Sequence, residues 1–85
     1  MAQVIVTFKV MPTGTDVDLD EMGNEIKKAV NSVRMSREPI AFGLVALNVT
    51  VVMEDEGGQL DAAEKKITSV SGVASVETTE ITRAL

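Results

Sequence analysis

The stretch from Asp16 to Lys27, DVDLDEMGNEIK, sets acidic side chains at alternate positions. That spacing is how a loop gathers oxygen ligands around calcium. Such a loop needs glycine at its sixth position for a sharp turn and glutamate at its twelfth to complete the coordination. This chain has Glu21 and Lys27 there. The pattern suits the start of a helix instead, with Asp16 or Asp18 as N-cap and Asp20 and Glu21 at the positive end of the helix dipole. A second acidic run, Glu54-Asp55-Glu56, precedes two glycines and reads as a solvated loop rather than a metal or catalytic cluster. MPTGT and EDEGGQ contain glycine but no Gly-Lys-Ser/Thr, so they cannot form a phosphate-binding P-loop. Cysteine and histidine are both absent. This removes disulfides, thiol chemistry, the commonest general base and the commonest metal ligand. Any transition-metal site would have to be carboxylate-only, a poor design, and no metal or cofactor is expected.

Two side chains remain as candidates for contact rather than catalysis. Phe42 is one of only two aromatic residues, and it stands between Ala41 and Gly43 in PIAFGLVALNVTVVMED. If it shares a face with Ile40 it is a core-facing edge residue; at a hairpin tip it is a contact residue. The pattern alone leaves both open. IAFGLVAL also partly matches the third strand of the RNA-recognition motif, since Phe42, Gly43 and Val45 fit. The stacking positions hold Leu44 and Leu47, the basic first position holds Ile40, and the first strand offers Ile5 where another ring is wanted. Base stacking needs rings. Arg83, near the end of the chain, reads by itself as a solvated cation.

These residues must be positioned by an ordered set of elements. AQVIVTFKV alternates, with Val4, Val6, Phe8 and Val10 on one face, and predicts a half-buried strand ended by MPTGTD. From Asp18 to about Arg34 the period becomes helical, with a stripe of Leu19, Met22, Ile26, Val30 and Val33. REPIAFG predicts a short strand whose Pro39 marks a sheet edge, with Gly43 as the turn residue. LVALNVTVVME predicts a long strand with Val45, Leu47, Val49, Val51 and Met53 inward. Leu60, Ala63, Ile67 and Val70 mark a second helix, ended by Ser71-Gly72. VASVETTEITRAL predicts the last strand; its alternation is imperfect, which suggests a bulge.

The order β-α-β-β-α-β, with two amphipathic helices to cover, predicts an α+β, ferredoxin-like sandwich. Its sheet has four antiparallel strands in the order 4-1-3-2 with both helices on one face. That topology sends Phe42 and Arg83 to opposite ends of one domain, residues 1–85.

Composition narrows the function. A net charge of −5 disfavours nucleic acid and favours a basic partner. The apolar runs are too short for a bilayer, and MAQVIVTFKV has no basic segment ahead of its apolar run. A cytoplasmic protein is expected, with no membrane partner.

Three stretches then match a known family. KVMPTGTDVDLDEMGNEIKKAV, EPIAFGLVALNVTVVMEDEGG and VSGVASVETTEI resemble the archaeal elongation factor one-beta family over nearly the whole chain. PIAFGLVALNVTVVMED is also similar to the catalytic domain of the eukaryotic members, which carries an aromatic between two glycines. The resemblance implies guanine nucleotide exchange on elongation factor one-alpha, the GTPase that delivers aminoacyl-tRNA; an exchange factor makes no covalent bond, so the chain is not expected to be an enzyme. It implies that Ala41, Phe42 and Gly43 press on the second domain of the GTPase. It also implies that the end of the fourth strand enters the nucleotide domain near the magnesium ion. With Ser75 and Val76 aligned, Arg83 falls opposite the lysine that eukaryotic members place there. Ala41 and Arg83 depart from the eukaryotic glycine and lysine. The free factor is expected to be a monomer that binds no nucleic acid directly. The alternative is a ferredoxin-like RNA-binding or regulatory module. An acyl-phosphate hydrolase of the same fold would need an arginine in its first loop, which MPTGTD lacks.

Overall fold

Alternation in β1 (Gln3–Pro12) turns Val6, Phe8 and Val10 inward and leaves Ile5, Thr7 and Lys9 on the opposite face. The computed structural model describes residues 3–54 and 58–84. The acidic pair Asp55 and Glu56, read above as part of a solvated loop, lies outside the described residues.

Helix α1 (Leu19–Val30) starts where the capping chemistry predicts. Asp18 Oδ1 accepts from the backbone N–H groups of Asp20 and Glu21 at 3.1 and 3.2 Å, so Asp18 rather than Asp16 is the cap. Asp20 and Glu21 occupy the first turn and Lys27 and Lys28 the last, both favourable to the helix dipole. The helix ends earlier than its hydrophobic stripe. Asn31 turns left-handed at φ 50° and donates its N–H to the Lys27 carbonyl. Val33 then donates its N–H to the Thr50 carbonyl just before the next strand begins, and its side chain is exposed. The periodicity overran because spacing cannot register a left-handed cap.

Strand β2 (Arg34–Pro39) consequently begins before the expected REPIAFG stretch and stops short of Ala41. It pairs only with β3 (Val45–Glu54), which makes it the edge strand that Pro39 signalled. Helix α2 (Gln59–Thr68) buries Ala63 and Ile67, with Val70 packing against the core just beyond its end. Strand β4 (Val73–Ala84) closes the other edge.

The sheet order is β2-β3-β1-β4, with antiparallel neighbours throughout, in the ferredoxin-like layout. Opposite one another on one face lie Val6 and Val51, Phe8 and Val49, and Val10 and Leu47. They form one core with Met22 and Ile26 of α1 and Ala63 and Ile67 of α2, which places both helices on that face. Gly23 permits this approach. A Cβ there would stand 3.0 Å from Met35 Sδ and 3.7 Å from Leu47 Cδ1. The expected irregularity in β4 is real and occurs twice, between Thr7 and Phe8 and between Met11 and Pro12 of the facing strand.

Phe8 is fully buried at the centre of this core. Phe8→Ala is expected to cost roughly 3–5 kcal/mol of unfolding free energy, read from the midpoint of urea denaturation.

Candidate functional site

The five residues between the paired Pro39 and Val45 form the tip of the β2–β3 hairpin. The tip is closed by two backbone bonds, from Ile40 N–H to the Leu44 carbonyl at 2.7 Å and from Leu44 N–H to the Ala41 carbonyl at 3.4 Å. Closing it needs two successive residues at positive φ. Gly43 takes φ 78°, which costs a glycine little. Phe42 takes φ 64° and ψ 26°, a conformation that a bulky side chain rarely adopts. Its side chain is 95% exposed, so no packing compensates that backbone. The core-facing alternative for Phe42 is thereby overturned. Ala41 and Gly43 are exposed beside it.

The loop between β1 and α1 abuts this tip, since a Cβ on Gly43 would meet Thr15 Cγ2 at 3.7 Å. Asp16 and Asp18 follow Thr15, and Asp20 pairs with Arg37 of β2 across the gap between helix and sheet. Asp16 and Asp18 thus follow closely in sequence on the loop residue that abuts the hairpin tip.

Arg83 lies at the other pole. It faces Val4 across β4 and β1, and Val4 faces Met53 on β3. The residue steps from Val45 to Met53 alone span roughly 26 Å, and the molecule extends 41 Å along its longest axis. Phe42 and Arg83 are thus far apart on one rigid sheet, as the topology predicted, and form no common pocket. Arg83 is exposed and lies on the helix-covered face, because its partner Val4 packs there. Ile81, on the same face and 56% exposed, escaped the sequence reading. The imperfect alternation of VETTEITRAL was the only signal for it.

The open face of the sheet offers no stacking platform. Phe8 is buried on the helix side and Phe42 is at the hairpin tip, and the chain has no other aromatic residue. Among the described residues no group of three or more acidic, histidine or cysteine side chains could hold a metal ion. No helix among them is long and apolar enough to cross a membrane.

Residues 5–84 match the sequence profile of the EF-1 guanine nucleotide exchange domain. The chain is 42% identical to elongation factor 1-beta of Methanothermobacter thermautotrophicus, with full coverage of both chains. It is 41% identical to the protein of that name from Methanosphaerula palustris, covering 96% of this chain and 98% of the relative. Against that of Natronomonas pharaonis the identity is 40%, covering 98% and 99% respectively.

The backbone at Phe42 makes a stability prediction distinct from any contact role. Phe42→Gly relieves the positive φ and is expected to stabilise the free protein by up to about 1 kcal/mol. Phe42→Ala keeps a Cβ at that φ and should change stability by less than about 0.5 kcal/mol. Urea denaturation of both variants checks this; a loss of several kcal/mol in either would mean the ring packs after all.

Proposed function

This chain belongs to the EF-1 guanine nucleotide exchange family, and on that premise we propose that it opens its GTPase with two separate poles, the Phe42 hairpin and the Arg83 end of β4. Guanine nucleotide exchange on elongation factor 1-alpha is the activity of the family and of this chain. The observation that carries the two-pole reading is Phe42: a ring 95% exposed on a strained backbone, at the end of the sheet farthest from Arg83. Strain kept without any packing return is characteristic of a binding residue. Exposed aromatic rings are frequent anchors of protein interfaces.

In this reading the Ala41-Phe42-Gly43 tip seats on the second domain of the GTPase and fixes the orientation of the factor. The far pole then reaches the nucleotide domain. A GTPase holds its nucleotide through Mg²⁺ and backbone groups that neutralise the phosphates. The Arg83 guanidinium supplies a competing positive charge near that ion. The factor binds the loosened conformation more tightly than the closed one, so GDP leaves faster and GTP can reload. No covalent bond is made or broken, which agrees with a chain lacking histidine and cysteine. The free factor acts as a monomer in the cytoplasm, and its net charge of −5 suits a partner with basic surfaces.

Three outcomes test this. Phe42→Ala should weaken complex formation with elongation factor 1-alpha and lower exchange while the fold stays intact. Arg83→Ala should leave complex formation nearly unchanged but slow GDP release by roughly tenfold or more, because the cation acts in the released state. Fluorescent-GDP release measured beside binding titrations separates the two, and full release activity in Arg83→Ala would remove that residue from the mechanism. Association should also slow as salt rises from about 0.05 to 0.5 M, since steering between opposite charges is screened. Stopped-flow association rates check it, and a flat dependence would exclude steering.

A further inference from the structure

The two edges of the sheet are built differently. Strand β2 is six residues long, ends in Pro39, and carries Arg34, Arg37 and Glu38. Proline and charge both discourage an incoming strand. Strand β4 pairs on one side only, is twelve residues long, has no proline, and is rich in β-branched side chains. Residues 79–83 are all exposed, and Ile81 lies there on the helix-covered face at 56% exposure. A long edge of this composition is a template on which another strand can pair. Yet β4 is interrupted twice. Phe8 faces Thr78 and Thr7 faces Glu80, so Thr79 has no partner on β1. Met11 faces Ser75 and Pro12 faces Val73, so Ala74 has none either. Regular pairing is left in two runs, four residues over Ser75–Thr78 and five over Glu80–Ala84. In a regular antiparallel strand every second residue turns its N–H and C=O outward. An unpaired residue breaks that alternation, so neither run offers more than about three such residues in step. The Thr79 hydroxyl donates to the Thr7 carbonyl oxygen at 3.2 Å, which pins the extra residue in place.

We propose that the Thr79 bulge is a guard on this edge: it keeps β4 from pairing antiparallel with the β4 of a second copy of the chain. Removing Thr79 would leave every other pair of the ladder, and the face of every other side chain, as they are. It would join the two runs into one regular edge of nine residues. A second copy is the occupant because an antiparallel pair of identical edges is two-fold symmetric, so the edge is complementary to itself. In such a pair the exposed Ile81 of each copy gains a neighbouring strand to cover it. Ala74 lies near the start of the strand, and its removal would lengthen the first run only from four residues to five. The guard is independent of the exchange roles of Phe42 and Arg83, and its test reads mass rather than activity.

Analytical ultracentrifugation of four forms of the full chain tests the guard. Without Thr79 the folded chain should dimerise with a Kd below about 100 μM, at least tenfold tighter than the intact chain, which should stay monomeric to about 1 mM. Deleting Ala74 instead should leave a monomer over the same range, since the regular edge hardly lengthens. Ile81→Lys in the Thr79-deleted chain should restore the monomer, because a charge directed into the new contact blocks pairing. Amide hydrogen exchange between Glu80 and Ala84 should slow as the Thr79-deleted chain is concentrated. Circular dichroism and urea denaturation report whether each variant folds. A folded Thr79-deleted chain that stays monomeric at about 1 mM overturns the guard. Equal association of the intact chain or of the Ala74-deleted chain overturns it too. Association that Ile81→Lys leaves unchanged, or that does not slow exchange in Glu80–Ala84, lies elsewhere than the β4 edge and has the same consequence. A Thr79-deleted chain that does not fold also overturns it, since the extra residue then serves the fold rather than the edge.

Discussion

Strand β1 is paired on both of its edges, to β3 over eight residues and to β4 over ten. Its inward side chains Val6, Phe8 and Val10 are the floor on which both helices rest. Every other element is placed relative to this strand. Helix α1 reaches the floor through Met22 and Ile26, and α2 through Ala63 and Ile67. Burial of these apolar side chains is the dominant favourable contribution in a domain this small, where little stability remains after the entropy of ordering the chain. With no aromatic other than Phe8 in the core, close packing of aliphatic side chains must supply the rest.

The same strand sets the distance between the two poles. A sheet is stiff along its strands because each backbone hydrogen bond fixes the neighbouring register. The hairpin tip grows from one end of β3, and the last residues of β4 pair with the opposite end of β1. Neither pole can move toward the other without breaking the ladder. On the two-pole proposal, such a factor would present a fixed span to its partner and leave the conformational change to the GTPase.

The two aromatic residues of the chain sit in opposite environments. Phe8 is fully buried and Phe42 is 95% exposed. Hydrophobicity alone would bury both. Phe42 is kept out by a tip whose closure forces its backbone left-handed, with Thr15 beside the following glycine. Local geometry therefore overrides the transfer free energy of one large side chain, roughly 1.5–3 kcal/mol when fully buried. That cost without a packing return is what the proposed contact role of Phe42 would explain.

The amino-acid sequence determined the element order, the inward faces of β1 and β3, the acidic start of α1 and the edge position of β2. Each of these follows from nearest-neighbour chemistry or from a short period, and such signals survive without tertiary context. It also determined that Phe42 and Arg83 lie at opposite poles, because antiparallel topology converts chain order into position. Three things were decided only by the folded structure. Helix α1 stops at Val30 although its stripe continues to Val33, because a left-handed Asn31 and a bond to Thr50 draw the chain into the sheet. Phe42 is exposed rather than buried, because the conformation of a five-residue tip depends on the two strands that clamp it. Arg83 falls on the helix-covered face because it pairs with Val4, and a pairing exists only relative to the strand beside it. Sequence spacing describes one strand at a time; register belongs to a pair.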